Sequence, residues 1–380
     1  MTRIVAALAL PAVAVALWSF YAKREGEASS ADSARDYFRM CAMLLPLTLA
    51  VAMGVGVLNQ IDGMKLPTPD DFFRLEMSVN WARDPYLAAP DHLWLSGNFA
   101  ILGSLLLLLD DPMLAAFVHS IFSWISVHAG FSVLGYALRF PVAAVPIAGA
   151  VTVLHPCGSH FAISTLPDVM TWGLYFAWAG GVILMWTRPG SGVRWAVVAA
   201  IALAISTALR FEGWPLAGLF CVSNGVWLWK HRRSLSIRSI ALVGGAAVLP
   251  LVFPLIWMIS AWRVLGHPLG FLNNPLLHHR EWGGTYKYAS PDWSPPLGGR
   301  LNNSWLYLKI WGGTVVYFLP LLYPVLVRYG SRTLLLALTV PGLWLAEIVA
   351  VAFRSGFTAN FWERIPMPAI LGFLFICSAG

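Results

Sequence analysis

The stretch that decides the fold is MLAAFVHSIFSWISVHAGFSVLGYAL, residues 113–138, which contains no aspartate, glutamate, lysine or arginine. A helix of this length extends about 39 Å, which exceeds the roughly 30 Å hydrocarbon core of a bilayer. The rest of the chain has the same character, since 58% of its 380 residues are hydrophobic and 11% are charged. This composition excludes a soluble globular enzyme, a disordered chain and a disulfide scaffold. The low charge argues against a nucleic-acid partner, although the net charge is +7.

Similar apolar runs recur along the whole sequence, and they predict an all-α, polytopic integral membrane protein with about 10–11 transmembrane helices. The predicted spans are 4–22, 40–58, 113–138, 141–155, 169–186, 195–209, 213–229, 239–262, 304–326, 333–353 and 366–380. We expect residues 1–39 to form an extra span with a cytoplasmic linker. Residues 40–380 then form the transmembrane domain.

One further apolar run, 96–109, has a helical length of about 21 Å and is short for a span. Loop charge decides its placement, because basic residues concentrate in cytoplasmic loops. If 96–109 lies along the outer interface or is re-entrant, nine basic residues fall in short inner loops and three in short outer loops. The inner set is Arg139, Arg188, Arg194, Lys230, Arg232, Arg233, Arg238, Arg328 and Arg332, and the outer set is Arg210, Arg354 and Arg364. If 96–109 crosses the membrane, these counts invert.

With this topology most carboxylates lie on the outer face. Two outer segments are long, at about 59–112 and 263–303, and loops of this length are usually functional. The second is rich in Trp, Tyr, Gly and Pro. Its aromatic faces suit sugar rings or lipid head groups, and they suit a plain interfacial cap equally well.

Four outer residues are the main candidates for chemistry besides Arg210. Asp70 and Asp71 begin a possible helix at the water boundary, where partial desolvation makes a carboxylate a better base, although a solvated N-cap pair is the alternative. Asp168 begins a span, and its favourable interaction with the helix dipole would by itself explain its position. Arg210 and Glu212 share a tight turn between spans. A charged pair in this position indicates a functional site, and the alternative is a salt bridge that only stabilises the turn.

The cysteines and the charged residues inside spans add little functional information. The four cysteines include no CxxC pair, which indicates neither a zinc ribbon nor a redox couple. Glu347 lies inside a predicted span and is a functional candidate on that ground.

The order of these features resembles the GT-C membrane glycosyltransferases, which include the protein O-mannosyltransferases and the aminoarabinose transferases (glycosyltransferase family 39-like). The features are an acidic pair after an early span, then PDHLWLSGNFAILGSLLLLL, then Asp168, then RFEGW at 210–214, then WERIPMPAIL near the C-terminus. The resemblance covers roughly 40–380. Asp71 stands where the family has Glu, and His92-Leu93-Trp94 replaces a P-P-L-Y stretch. The extra span and the end at Gly380 suggest a short or incomplete member.

The resemblance implies transfer of a sugar from a polyprenyl-phosphate donor to a lipid, glycan or protein acceptor, with inversion, at the outer face of a bacterial-type plasma membrane. Asp70 or Asp71 would be the general base. An arginine or a metal ion would stabilise the leaving phosphate. The candidates for binding donor phosphate or sugar are Arg210, Glu212, Asp168, Arg364, Arg280 and Lys287. A divalent cation held by Asp70 or Asp71 with Asp168 and Glu212 stays open.

Three other functions compete with this one. A transporter or flippase would place ionisable groups in mid-membrane, where Glu347 and Lys309 are the candidates. An O-antigen ligase or polymerase would be another lipid-glycan enzyme. A non-catalytic membrane protein would use its outer loops for assembly.

Overall fold

A computed structural model describes residues 34–61, 69–88, 95–155, 158–159, 161–268, 322–355, 372 and 375–376. Within these ranges every regular element is a helix, which confirms the all-α prediction. Five helical stretches are long and apolar enough to cross a membrane, which supports a membrane-embedded chain: Ala34–Asn59, Pro112–Leu138, Asp168–Thr187, Pro189–Leu209 and Ile237–Leu265. The α-helices are α1 Ala34–Ile61, α2 Pro69–Arg83, α3 Gly97–Leu109, α4 Pro112–Leu138, α5 Ala144–Leu154, α6 Asp168–Thr187, α7 Gly192–Leu209, α8 Gly213–His231, α9 Ile237–Val248, α10 Val252–Leu265 and α11 Leu322–Ser355.

The helix bounds follow the apolar runs with a few informative differences. α1 begins six residues before the predicted span at 40–58, so the expected domain boundary at 39 falls inside a helix. The predicted span 239–262 becomes α9 and α10, joined by a 3₁₀ turn at Leu249–Leu251 that contains Pro250. α5 has 11 residues and a length of about 16 Å, too short to cross alone. Residues 4–22, most of 304–326 and most of 366–380 lie outside the described residues.

α4 and α6 run parallel and form the centre of the bundle. Glycine permits their close approach: a Cβ atom on Gly130 would overlap the carbonyl of Gly173, and one on Gly173 would overlap the backbone of Ser126 and Val127. Aromatic side chains fill the neighbouring core, where Phe131 stacks on Phe176 with ring centroids 4.9 Å apart. The backbones of α4 and α6 therefore touch directly, and a residue with a side chain at Gly130 or Gly173 would push them apart.

α3 lies beside one end of α4 and does not run along its length. Asn98, in the first turn of α3, contacts His119, which is seven residues into α4. At the other end of α3, Asp110 adopts a left-handed conformation, and Asp111 then caps α4 by accepting from the Met113 and Leu114 amides. α3 thus stays near the start of α4. That 96–109 does not cross the membrane stays a prediction.

Contacts between helices sort the described residues to two ends of the bundle. Asp168, at the start of α6, contacts Arg210, which follows α7, so these two helices are antiparallel. Arg188 follows α6, and its Nη1 donates to the hydroxyl of Tyr136 near the end of α4. A helix of 20 residues such as α6 is about 30 Å long. We call the end with Asp168 and Arg210 the carboxylate end and the end with Arg188 and Tyr136 the cationic end.

Candidate functional site

The carboxylate end is built around residues 161–167, a segment without helix or strand structure in which every residue is buried. A buried irregular segment must satisfy its backbone polar groups through side chains, above all inside a membrane protein. Trp124 of α4 donates from its indole nitrogen to the Ala162 carbonyl at 3.1 Å. Ser120, one turn earlier, accepts from the Ser164 amide at 2.9 Å. α4 therefore supplies side chains that hold this segment in place.

Asp71 attaches α2 to the same segment. Its side chain has no exposed surface, and its Oδ1 accepts from the Ser164 hydroxyl at 2.7 Å. The same oxygen accepts from the Thr165 amide at 2.6 Å and from the Thr165 hydroxyl at 3.0 Å. A solvated N-cap pair is therefore wrong for Asp71. The carboxylate organises the segment that leads into α6.

Asn98 and His119 complete the hydrogen-bond network around residues 164 and 165. The Asn98 amide nitrogen donates to the Thr165 carbonyl at 2.8 Å, and its oxygen lies 3.1 Å from His119 Nε2. His119 Nδ1 lies 3.1 Å from the Ser164 carbonyl. Both residues are buried. Sequence reasoning missed both, although a polar residue inside an apolar run, such as Asn98 in 96–109 or His119 in 113–138, is itself a signal of function or of a specific partner.

A second cluster of charges joins the ends of α6 and α7. Arg210 Nη1 donates to Asp168 Oδ1 at 2.7 Å, and Arg210 Nε donates to both oxygens of Glu212 at 3.1 Å. The side chain of Asp168 is 2% exposed, that of Arg210 20% and that of Glu212 27%. The predicted turn salt bridge is present. It is also extended, because one guanidinium links the turn to the start of α6.

Burial and mutual attraction act in opposite directions on this cluster. Burial by itself disfavours the charged forms, but attraction to Asp168 and Glu212 outweighs it and raises the pKa of Arg210. For Glu212, burial is again outweighed, here by the charge and hydrogen bonds of Arg210, and its pKa is lowered. Arg210 and Glu212 are therefore held in their charged forms beside the carboxyl group of Asp168.

The two clusters lie close together because they share one segment. Thr165 binds Asp71 and precedes Asp168 by three residues. Consecutive Cα atoms are about 3.8 Å apart, so the Cα atoms of Thr165 and Asp168 are at most roughly 11 Å apart. Of the residues predicted from the sequence, Asp71, Asp168, Arg210 and Glu212 are thus brought to one end of the bundle.

α2 presents different groups on its two sides. Asp70 is partly exposed, and its neighbours Phe72 and Phe73 are exposed. Arg74 and Ser78, one and two turns after Asp71 on the same face, are buried. Phe72 and Phe73 thus form an exposed apolar side of α2. The opposite face carries the buried polar groups, and Arg74 was not anticipated from the sequence.

The remaining predicted site residues fall outside the part of the chain that the structure describes. Arg280, Lys287 and Arg364 lie outside the described residues, as does Lys309. Glu347 lies on α11, but its side chain is likewise outside the described part.

The carboxylates of Asp71, Asp168 and Glu212 are already engaged by protein donors. Oδ1 of Asp71 is occupied by hydrogen-bond donors, and Arg210 is bound between Asp168 and Glu212. In the part of the chain that the structure describes, no group of three or more His, Cys, Asp or Glu side chains could hold a metal ion. The arrangement is built around a guanidinium and hydroxyl donors.

Comparisons with known proteins gave no match to a family model, to a curated protein or to a solved structure.

Proposed function

We propose that the chain is a membrane glycosyltransferase of the GT-C type, acting at the carboxylate end on a polyprenyl-phosphate-linked sugar. One observation carries the proposal: Asp71 binds residues 164 and 165, so the acidic start of α2 lies beside the segment that leads into Asp168. Acidic residues far apart in sequence thereby meet at one end of the helices. The resemblance supports this assignment, since its acidic pair and its later carboxylate are expected in one site.

Within this proposal the two neighbouring aspartates have different roles. Asp71 is fully buried and already accepts three hydrogen bonds, so it positions α2. Asp70 is partly exposed and serves as the general base. A general base must reach the proton that it takes, and an accessible carboxylate meets this requirement better than one surrounded by protein donors.

The proposed reaction is a single displacement. The carboxylate of Asp70 takes the proton of an acceptor hydroxyl, and the hydroxyl oxygen attacks the anomeric carbon of the sugar. The bond between that carbon and the phosphate oxygen breaks on the opposite face. Its electron pair leaves with the polyprenyl phosphate, and the configuration at the anomeric carbon inverts. The acceptor is a lipid, a glycan or a protein.

Arg210 is a positioning residue in this scheme. Its charge is already balanced by Asp168 and Glu212, so it is a poor choice for binding the leaving phosphate. The cluster fixes the starts of α6 and α8 relative to each other. Arg280, Lys287 and Arg364 are then the candidates for the phosphate, as first expected from their outer positions in the sequence.

The proposal is tested by incubating the purified protein in lipid nanodiscs with an extract of polyprenyl-phosphate-linked sugars. Mass spectrometry of candidate acceptors should find a mass increase of one sugar. Asp70→Asn should abolish the increase, whereas Asp84→Asn, at an exposed site after α2, should retain it. Movement of the lipid-linked sugar across liposomes without any transfer product would favour a flippase. Polymeric products would favour a ligase or polymerase.

A further inference from the structure

The cationic end gathers basic side chains with little opposing charge. Helix contacts place the ends of α4, α6 and α8 together: Arg188 binds Tyr136, and the Trp227 indole donates to the Met185 carbonyl at 2.9 Å. The basic residues that these elements and their neighbours bring here are Arg35, Arg39, Arg139, Arg188, Arg194, Lys230, Arg232, Arg233, Arg238 and Arg328. The carboxylate that shares this end in the described part of the chain is Asp36, in the first turn of α1.

Aromatic rings, and not carboxylates, hold several of these cations. The guanidinium of Arg232 lies 3.7 Å from the ring centre of Trp229, and the Lys230 ammonium lies 5.9 Å from that of Trp186. A cation over a ring keeps its full charge, and its N–H donors stay available to an anion. Hydrogen bonds also fix the turn between α8 and α9, since Ser234 donates to the His231 carbonyl and Ser236 caps α9. The result is a preformed cationic surface.

An apolar stripe on α8 leads to this surface. Leu219, Val222 and Val226 are all exposed and follow one another at helical spacing. Trp229, which is 69% exposed, continues the same face, and Arg233 lies one turn beyond it. Apolar side chains ending in tryptophan and then in arginine match the order of acyl chain, interface and head group in a bilayer.

We propose that the surface formed by residues 219–238 binds an anionic phospholipid, with the acyl chains along Leu219, Val222 and Val226 and the phosphodiester at Arg232 and Arg233. The apolar stripe favours a lipid over a soluble polyanion, because a soluble anion would use the cations alone. Basic clusters beside membrane helices attract acidic head groups through several weak, additive contacts. The binding does not depend on the transferase activity.

Native mass spectrometry in detergent tests this proposal with phosphatidylglycerol and phosphatidylcholine titrated into the purified full chain. We expect phosphatidylglycerol to bind more tightly. The double variant Arg232→Gln/Arg233→Gln should lower its affinity by roughly tenfold or more, since each cation contributes a severalfold factor. Arg263→Gln is the matched control, because Arg263 is exposed in the last turn of α10, at the opposite end.

Three results would overturn the proposal. They are equal affinity for both lipids, an equal loss in Arg263→Gln, or full competition by glycerophosphoglycerol, which lacks acyl chains. Retention of a short oligonucleotide with no preference between the lipids would assign the surface to a soluble polyanion instead. None of these measurements uses an acceptor or a sugar donor, so they remain informative whether or not transfer is found.

Discussion

The two ends of the bundle handle charge in opposite ways. At the carboxylate end the acidic groups of the site, Asp71, Asp168 and Glu212, are buried or half-buried and have specific partners. Ser164 and Thr165 bind Asp71, and Arg210 binds Asp168. At the cationic end the basic side chains are mostly exposed, and several lie over aromatic rings. Buried charges must be paired, whereas exposed cations at a membrane surface need no protein partner. A catalytic site is therefore expected at the first end and a lipid surface at the second.

Among substitutions that distinguish the two ends of the bundle, we expect the largest effect to be the loss of turnover in Asp70→Asn. Asp70→Asn keeps the side-chain shape and removes the proton acceptor, so turnover should fall by about 10²–10⁴-fold. Binding of the lipid-linked donor should remain nearly unchanged, because the base acts on the acceptor. Steady-state assays in nanodiscs measure both quantities. Arg194→Gln, at an exposed site of the cationic end, is the control and should leave turnover near the wild-type value.

Removal of the central guanidinium should be the largest effect on stability. Arg210→Gln leaves Asp168 and Glu212 facing each other without a cation, and breaking a buried ion pair costs about 3–5 kcal/mol. The lower end of that range applies here, because the Arg210 side chain is 20% exposed. Unfolding in detergent with increasing denaturant measures the loss. Arg263→Gln, an exposed cation on α10, should change the free energy of unfolding by less than about 0.5 kcal/mol.

A methyl group added at the α4–α6 contact should lower the free energy of unfolding by an intermediate amount. Gly173→Ala forces the two backbones apart, and overpacking of this kind costs about 1–3 kcal/mol. The same change at Gly225 of α8, where a Cβ atom would meet nothing within 4 Å, should stabilise by up to about 1 kcal/mol. Equal shifts of the thermal midpoint in the two variants would show that α4 and α6 are not in close contact.

The smallest expected effect is the pH dependence of the stability contributed by Glu212. Because the pKa of Glu212 is lowered in the folded protein, its contribution to stability is present above the ordinary glutamate pKa of about 4.3. It is lost as the pH falls through the lowered pKa. Wild type should therefore be more stable than Glu212→Gln at pH 7, and the difference should shrink towards zero at strongly acidic pH. A difference that grows on acidification would contradict the assigned charge state.

The sequence predicted the helices well and the site only in part. Apolar runs such as 113–138 gave helix positions within a few residues, because length and lack of charge are visible in the chain itself. The segment 161–167 was not predictable in the same way, since its conformation depends on partners from α2, α3 and α4. Asp71 shows the limit, because an acidic residue at a helix start looks solvated until its neighbours are known. Arg74 was missed for the same reason, whereas His119 carried a visible signal as a polar residue inside an apolar run.

Orientation was a different kind of prediction. The count of basic residues in short loops predicted that Arg139, Arg188, Arg194 and Lys230 share one side, and the helix contacts place them at one end. Which side of a membrane this end faces stays a prediction. A single cysteine at Ser234, labelled with an impermeant reagent in intact cells, tests it: the predicted cytoplasmic position gives no labelling.

The division of roles between Asp70 and Asp71 is the central claim, and one paired measurement tests it most directly. Turnover and thermal midpoint should be measured together for Asp70→Asn, Asp71→Asn and the double variant in the same nanodiscs. We predict that Asp70→Asn loses turnover with an unchanged midpoint. We predict that Asp71→Asn mainly lowers the midpoint, since it weakens hydrogen bonds to a charged group worth about 1.5–3 kcal/mol each. Near-normal turnover in all three folded variants would contradict the account and remove the start of α2 from the mechanism.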